Sequence, residues 1–140
     1  MNNDAAGAVP EGFGPIFRSS PVLDALGGFL SAGSAGSLRI GLRVGPPHLN
    51  SRGSLHGGVT ATLADVGMGY LLAFGRERPR RLVTASLTLD YVDGAAAGAF
   101  VEVRLRSVDE GRQLIHATAD LLCGERPIAR ARASFVVQAG

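Results

Sequence analysis

The sequence has no lysine and no tryptophan, a single cysteine, and few charges for its length. Each shortage closes something off. With Cys123 alone, no disulfide can form within the chain, so a disulfide-stapled fold is excluded and a reducing compartment is expected. Fourteen basic residues, all arginine, face twelve acidic ones, for a formal net charge of +2. So small an excess argues against a general nucleic-acid binder, although a basic stripe could still meet a phosphorylated small molecule. The opening stretch MNNDAAGAVPEGFGP has neither a basic nor an apolar region, so no secretory leader is expected there. The longest weakly polar run, Gly57 to Phe74, carries Asp65, two threonines and several glycines, and lies at the lower length limit for a membrane span. These shortages lead to the expectation of a cytoplasmic chain whose partners include neither a membrane nor nucleic acid.

What is present suits one packed domain. The chain has 140 residues, 46% of them hydrophobic, which is enough for a core and leaves little room for a second unit. Met1 to Arg18 is rich in Gly, Ala and Pro and reads as irregular. Ser20-Pro21 places a capping hydroxyl and an N1 proline at the start of a short helix, Pro21–Leu30, before the Gly and Ser cluster Ser31–Gly36. Ser37–Val44 alternates Leu38, Ile40, Leu42 and Val44 with polar or small residues, the period of a strand with one buried face. After the loop Asn50–Gly58, the run Val59–Phe74 is apolar on nearly every side, the pattern of a buried helix. Four alternating segments follow: Leu82–Val92, Ala99–Val108, Arg112–Cys123 and Pro127–Val137. Asp93-Gly94, Asp109-Glu110-Gly111 and Gly124 read as the turns of an antiparallel meander. The expected class is α+β, an antiparallel sheet with one long helix on its inner face.

Asp65 is the most informative residue. It is the only charged side chain between Gly57 and Phe74, and burying an isolated carboxylate costs several kcal/mol unless it is paired or has a task. A bond to backbone amides or to an arginine would be the structural explanation. Asn50 and His56-Gly57-Gly58 sit where the loop becomes the helix. The first N–H groups of a helix lack internal partners and lie in positive potential, and glycine lets another group come close. That is an oxyanion site, although HGG alone is more often plain turn sequence. Asp65 lies eight residues beyond Gly57, so the two are about 12 Å apart along one helix and cannot reach one reacting carbon. Two copies of the helix packed antiparallel about a two-fold axis would set Asp65 of one chain opposite Gly57 of the other. Ala61, Ala64 and Gly67 would allow the close approach.

Other candidates are weaker. Cys123 falls at a strand end and reads as a buried, inert thiol. His48 and His116 have no metal-ligand spacing, and neither a metal nor a cofactor is expected. Arg104, Arg106, Arg112, Arg130 and Arg132 fall mostly on one strand face, which reads first as a solvated outer surface and second as a patch for phosphate groups.

The segment Asn50–Asp65, NSRGSLHGGVTATLAD, resembles the signature of hotdog-fold acyl-CoA thioesterases. The likeness is strongest to the branch of the phenylacetate-pathway enzymes and thioesterase superfamily member 2. Asn50, Gly53, His56-Gly57-Gly58 and Leu63-Ala64-Asp65 carry it, and Thr84 matches a second block at the start of the strand after the helix. The resemblance covers roughly residues 36–137. It implies a hotdog fold, a long helix wrapped by a curved antiparallel sheet. Residues 37–140 would form the thioesterase domain and residues 1–36 an N-terminal segment with the short helix. It implies hydrolysis of an acyl-CoA thioester by a homodimer with shared active sites, often a dimer of dimers. Asp65 would be general base or nucleophile, the Gly57 amide would polarise the carbonyl, and Asn50 and His56 would orient water or thioester. Thr84 would position the water. Apart from the resemblance, Gly58 is expected to contact substrate, and Arg112 is, among the arginines, the one expected to meet the nucleotide. Asn50, His56 and Gly57 would come from one subunit, Asp65 and Thr84 from its partner. Two other readings compete: a hotdog hydratase or dehydratase, and a non-catalytic acyl-CoA-binding protein.

Overall fold

In the computed structural model, residues 8–139 are described. Seven strands form one antiparallel sheet: β1 (Gly14–Pro15), β2 (Phe29–Ala32), β3 (Arg39–Arg43), β4 (Arg81–Tyr91), β5 (Phe100–Glu110), β6 (Leu114–Cys123) and β7 (Arg126–Gln138). Their order across the sheet is β1-β2-β3-β5-β6-β7-β4. A short helix, α1 (Pro21–Leu26), precedes β2, and the long helix α2 (Gly57–Phe74) packs on the sheet's inner face. This is the hotdog arrangement that the sequence led one to expect.

Three local expectations change. The short helix stops at Leu26, not Leu30, because Gly27 and Gly28 both take positive φ (72° and 82°) and turn the chain into β2. Of the stretch read as irregular, Gly14–Pro15 is a strand paired with β2, while residues 1–7 lie outside the described part. The sheet therefore begins before residue 37. Asp93-Gly94 does not close a hairpin. β4 pairs with β7 from Arg81↔Gln138 to Tyr91↔Ala129, and both sides of β5 are taken by β3 and β6. After Tyr91 the chain crosses from the sheet's edge to its middle. The crossing is tied down by the Leu55 N–H donating to the Ala95 carbonyl at 2.8 Å and by Arg126 reaching Asp93 at 2.7 Å. β5, β6 and β7 do form the expected meander, and Cys123 is buried and unpaired at the end of β6.

The long helix was expected to be buried on all sides, and within one chain it is not. Val59, Leu63, Met68 and Leu72 press on the sheet, while Ala61, Thr62, Asp65, Val66, Gly69 and Tyr70 stay partly open. Asp65 is thus half-buried rather than sunk in the core. Two of the small residues expected to face a second copy face this chain's own sheet instead. Ala64 is fully buried, and Gly67 lies so close to Val103 that an added Cβ would sit 2.6 Å from its Cγ2.

Packing thus explains Gly67 despite the roughly 1 kcal/mol that glycine costs inside a helix. Gly67→Ala should lower unfolding free energy by about 1–3 kcal/mol, because the overpacking outweighs the gain in helix propensity. Urea denaturation of the two proteins measures the difference, and an equal or higher midpoint for the variant would contradict this account.

Candidate active site

The loop before α2 is built around Asn50. Its Oδ1 accepts from the N–H of Arg52 at 2.9 Å and of Ser54 at 3.1 Å. Its carbonyl accepts from Gly53, whose φ of 79° suits glycine and completes the turn. Holding the loop therefore occupies the side-chain oxygen and leaves the Nδ2 amide as a donor.

His56 is the N-cap of α2, and its Nδ1 accepts from the Gly58 N–H at 2.8 Å. An accepting Nδ1 places the ring proton on Nε2, so exposed His56 presents a donor to the outside. The Gly58 N–H is consequently spent. The Gly57 N–H donates to no group among the described residues, while the Gly57 carbonyl accepts from the Tyr91 hydroxyl at 2.7 Å. One unspent amide at the positive end of an eighteen-residue helix, pinned from the other side by Tyr91, is an oxyanion donor that needs little reorganisation.

Two turns further along, Thr84 of β4 donates its hydroxyl to Asp65 Oδ1 at 2.6 Å. The β4–β7 register slips between Thr84 and Ser86, a bulge beside this contact. No arginine or histidine among the described residues pairs with Asp65, so nothing internal neutralises its charge. The bond to Thr84 orients the carboxylate and leaves Oδ2 free. Asp65 and Thr84 therefore form one group, and Asn50, His56 and Gly57 another at the N-terminus of α2. Within one chain the two groups stay apart, at the helical distance given by their spacing.

Asp65 opens onto a cleft of about 470 Å³ running along α2 toward its C-terminus. Val66, Gly69, Tyr70 and Phe74 of α2 line one side, and Leu82 and Phe135 of the sheet line the other. Arg18 stands at the far end with its guanidinium 5.2 Å from the Phe74 ring centre, and Phe17 packs edge-on against Phe74 and tilted against Tyr70, at 5.4 Å each. Arg80 closes the same end. It donates to the Leu72 carbonyl at 3.0 Å and pairs with Glu110, and that hydrogen bond holds the Glu110 carboxyl below its usual range. Arg112 lies in the β5–β6 turn and is not part of the cleft wall. Arg104, Arg106, Arg130 and Arg132 are exposed on the outer face, where Asp120 lies 3.5 Å from both Arg106 and Arg130. His48 is buried and structural, its Nδ1 accepting from Gly45 and its Nε2 bonded to the Leu26 and Gly27 carbonyls.

Sequence reasoning missed Tyr91, Phe135, Arg18 and Arg80. Each acts through a contact between distant parts of the chain, and local periodicity carries no sign of it. Tyr91 read as one more residue of the alternating segment Leu82–Val92, and Arg18 lay in a stretch read as irregular.

Residues 52–129 match the family model of the thioesterase superfamily. Among curated proteins, the chain is 46% identical to PA0474 of Pseudomonas aeruginosa, whose name carries a provisional assignment as an esterase. That alignment covers 91% of this chain and 96% of PA0474. Acyl-coenzyme A thioesterase 13 of Mus musculus is 30% identical over 57% of this chain and 56% of its own. Among solved structures, thioesterase superfamily member 2 of zebra fish superposes with a TM-score of 0.73 at 27% identity, covering 85% of this chain and 88% of that one.

Proposed function

The chain belongs to the thioesterase superfamily and is a thioester hydrolase, and we propose that it splits acyl-CoA thioesters with Asp65 as the general base. The observation that carries this reading is the pairing of an un-neutralised Asp65 carboxylate with Thr84 on the wall of a cleft. Thr84 gives its proton to Oδ1, so its oxygen can only accept from a water, and we place the attacking water between that oxygen and the free Oδ2. Asp65 takes a proton from this water, and the water oxygen attacks the thioester carbon. The carbonyl oxygen becomes an oxyanion facing the Gly57 N–H, with Asn50 Nδ2 and His56 Nε2 as neighbouring donors. Collapse of the tetrahedral intermediate breaks the carbon–sulfur bond, and the proton held by Asp65 returns to the departing thiolate. The products are the free acid and CoA.

The site works between two copies. Asp65 and the Gly57 amide of one chain cannot meet on one carbon, whereas an antiparallel pair of α2 helices brings them together. Two surfaces support such a pairing. One face of α2 is partly open, and β4, an eleven-residue strand, is an edge of the sheet that pairs only with β7 among the described residues. A dimer of dimers is the further assembly we infer for the intact enzyme.

Thiol release from a panel of aliphatic and aryl acyl-CoAs tests the reading. We expect turnover on at least one class, and absence of release on every member would overturn it. A change in the acyl double bond without free thiol would make the chain a hydratase, and saturable binding without turnover would make it an acyl-CoA-binding protein.

A further inference from the structure

Helix α2 contains two interior glycines, and only one has a packing reason. Gly67 is pressed against Val103. Gly69 is not crowded. Among the described residues, an added Cβ would meet only Phe135 Cε1, at 3.5 Å, an ordinary contact. Alanine would fit there and favour the helix, so the fold alone does not call for glycine. Gly69 lies four residues beyond Asp65, on the same side of the helix, and lines the same cleft. Tyr70 of α2 and Phe135 of β7 flank it.

We propose that Gly69 sets the size of the acyl group this enzyme accepts, by leaving room for an apolar acyl body between Tyr70 and Phe135 directly beyond the reacting carbon. The inference rests on the hydrolase reading above and specifies its substrate: an acyl group with bulk beyond its first carbons, either a medium-length chain or one carrying a ring. The partner's helix does not account for the glycine. If Asp65 lies opposite the partner copy's Gly57, the antiparallel register sets position 69 against position 53, ahead of the helix start, so the partner's helix does not reach Gly69.

The test compares wild type, Gly69→Ala and Gly69→Leu. Hydrolysis and calorimetric binding are both measured, the latter with non-hydrolysable thioether analogues of acetyl-CoA, decanoyl-CoA and phenylacetyl-CoA. One methylene in an apolar pocket is worth about 10–200-fold in discrimination. Gly69→Ala should lower the ratio of bulky to acetyl preference about tenfold, and Gly69→Leu by more. Gly69→Ala should melt no lower than wild type and keep its oligomeric state. An unchanged ratio, an equal loss on all three analogues, or dissociation of the oligomer with the ratio intact would overturn the proposal. The binding arm decides the matter even for a protein that hydrolyses nothing, so failure of the hydrolase reading and failure of this inference remain distinguishable.

Discussion

Asp65→Asn should lower kcat by about 10²–10⁴-fold on every acyl-CoA the wild type hydrolyses, with little change in KM or in stability. Asparagine keeps the shape of the side chain and, through its own oxygen, can still accept the Thr84 hydroxyl that now lies 2.6 Å from Asp65 Oδ1. What it loses is the ability to take a proton from water. Thiol-release kinetics beside a urea melt separate this from unfolding, and undiminished kcat in a folded variant would remove Asp65 from the chemistry. Direct attack by Asp65 is detected by turnover in ¹⁸O-labelled water. A base delivers the label straight to the acid product and leaves the Asp65 carboxylate unlabelled. A nucleophile would pass through an anhydride, and water opening that anhydride at the Asp65 carbonyl would leave label in the carboxylate, so label accumulating there over repeated turnovers would establish direct attack. We expect an unlabelled carboxylate, read by mass spectrometry of the Asp65 peptide.

Which parts of this architecture could be read from sequence follows from the range of the interactions involved. The NSRGSLHGG loop was legible because its physics is local. Asn50 bonds residues two and four positions away, Gly53 must take positive φ, and His56 caps the helix it precedes. The strands β5 to β7 were legible because period-two alternation and short turns specify neighbours. The place of β4 was not. An alternating strand followed by Asp-Gly looks like half a hairpin, yet β5 finds its second neighbour in β3, and β4 is left to the far edge beside β7. Nothing within the segment distinguishes these outcomes. The burial of α2 was misjudged for a related reason. Apolar residues on all sides show that the whole helix needs cover without showing whether one chain or two supply it. Asp65 was singled out on the assumption of deep burial. It is half-open in the single chain, and the cleft and Thr84, both made by residues remote in sequence, give it its setting.

Gly57→Pro should reduce kcat by about 10²–10³-fold, the usual loss when one oxyanion donor is deleted. The substitution is unusually clean here. Gly57 is the first residue of α2, where proline is well tolerated and the N–H has no helical partner to lose. The residue before it, His56, already has φ −67° and ψ 137°, the extended conformation that a following proline requires. Gly57→Ala is the companion variant, since it keeps the amide. Its Cβ would lie 3.4 Å from the Tyr91 oxygen, close but tolerable, so it should retain most of the activity. Equal loss in both variants would point to crowding at Tyr91 rather than to the missing donor. The two deficient proteins then test the shared site together. If Asp65 and the Gly57 amide serve different active sites in the same chain, Asp65→Asn and Gly57→Pro damage opposite halves of each pair. Co-refolding them in equal amounts makes about half of the dimers mixed. Each mixed dimer holds one intact site and one doubly damaged site, so activity should return to about a quarter of wild type. Were both groups used within a single chain, no mixed dimer could contain an intact site, and the mixture would stay as inactive as its parents.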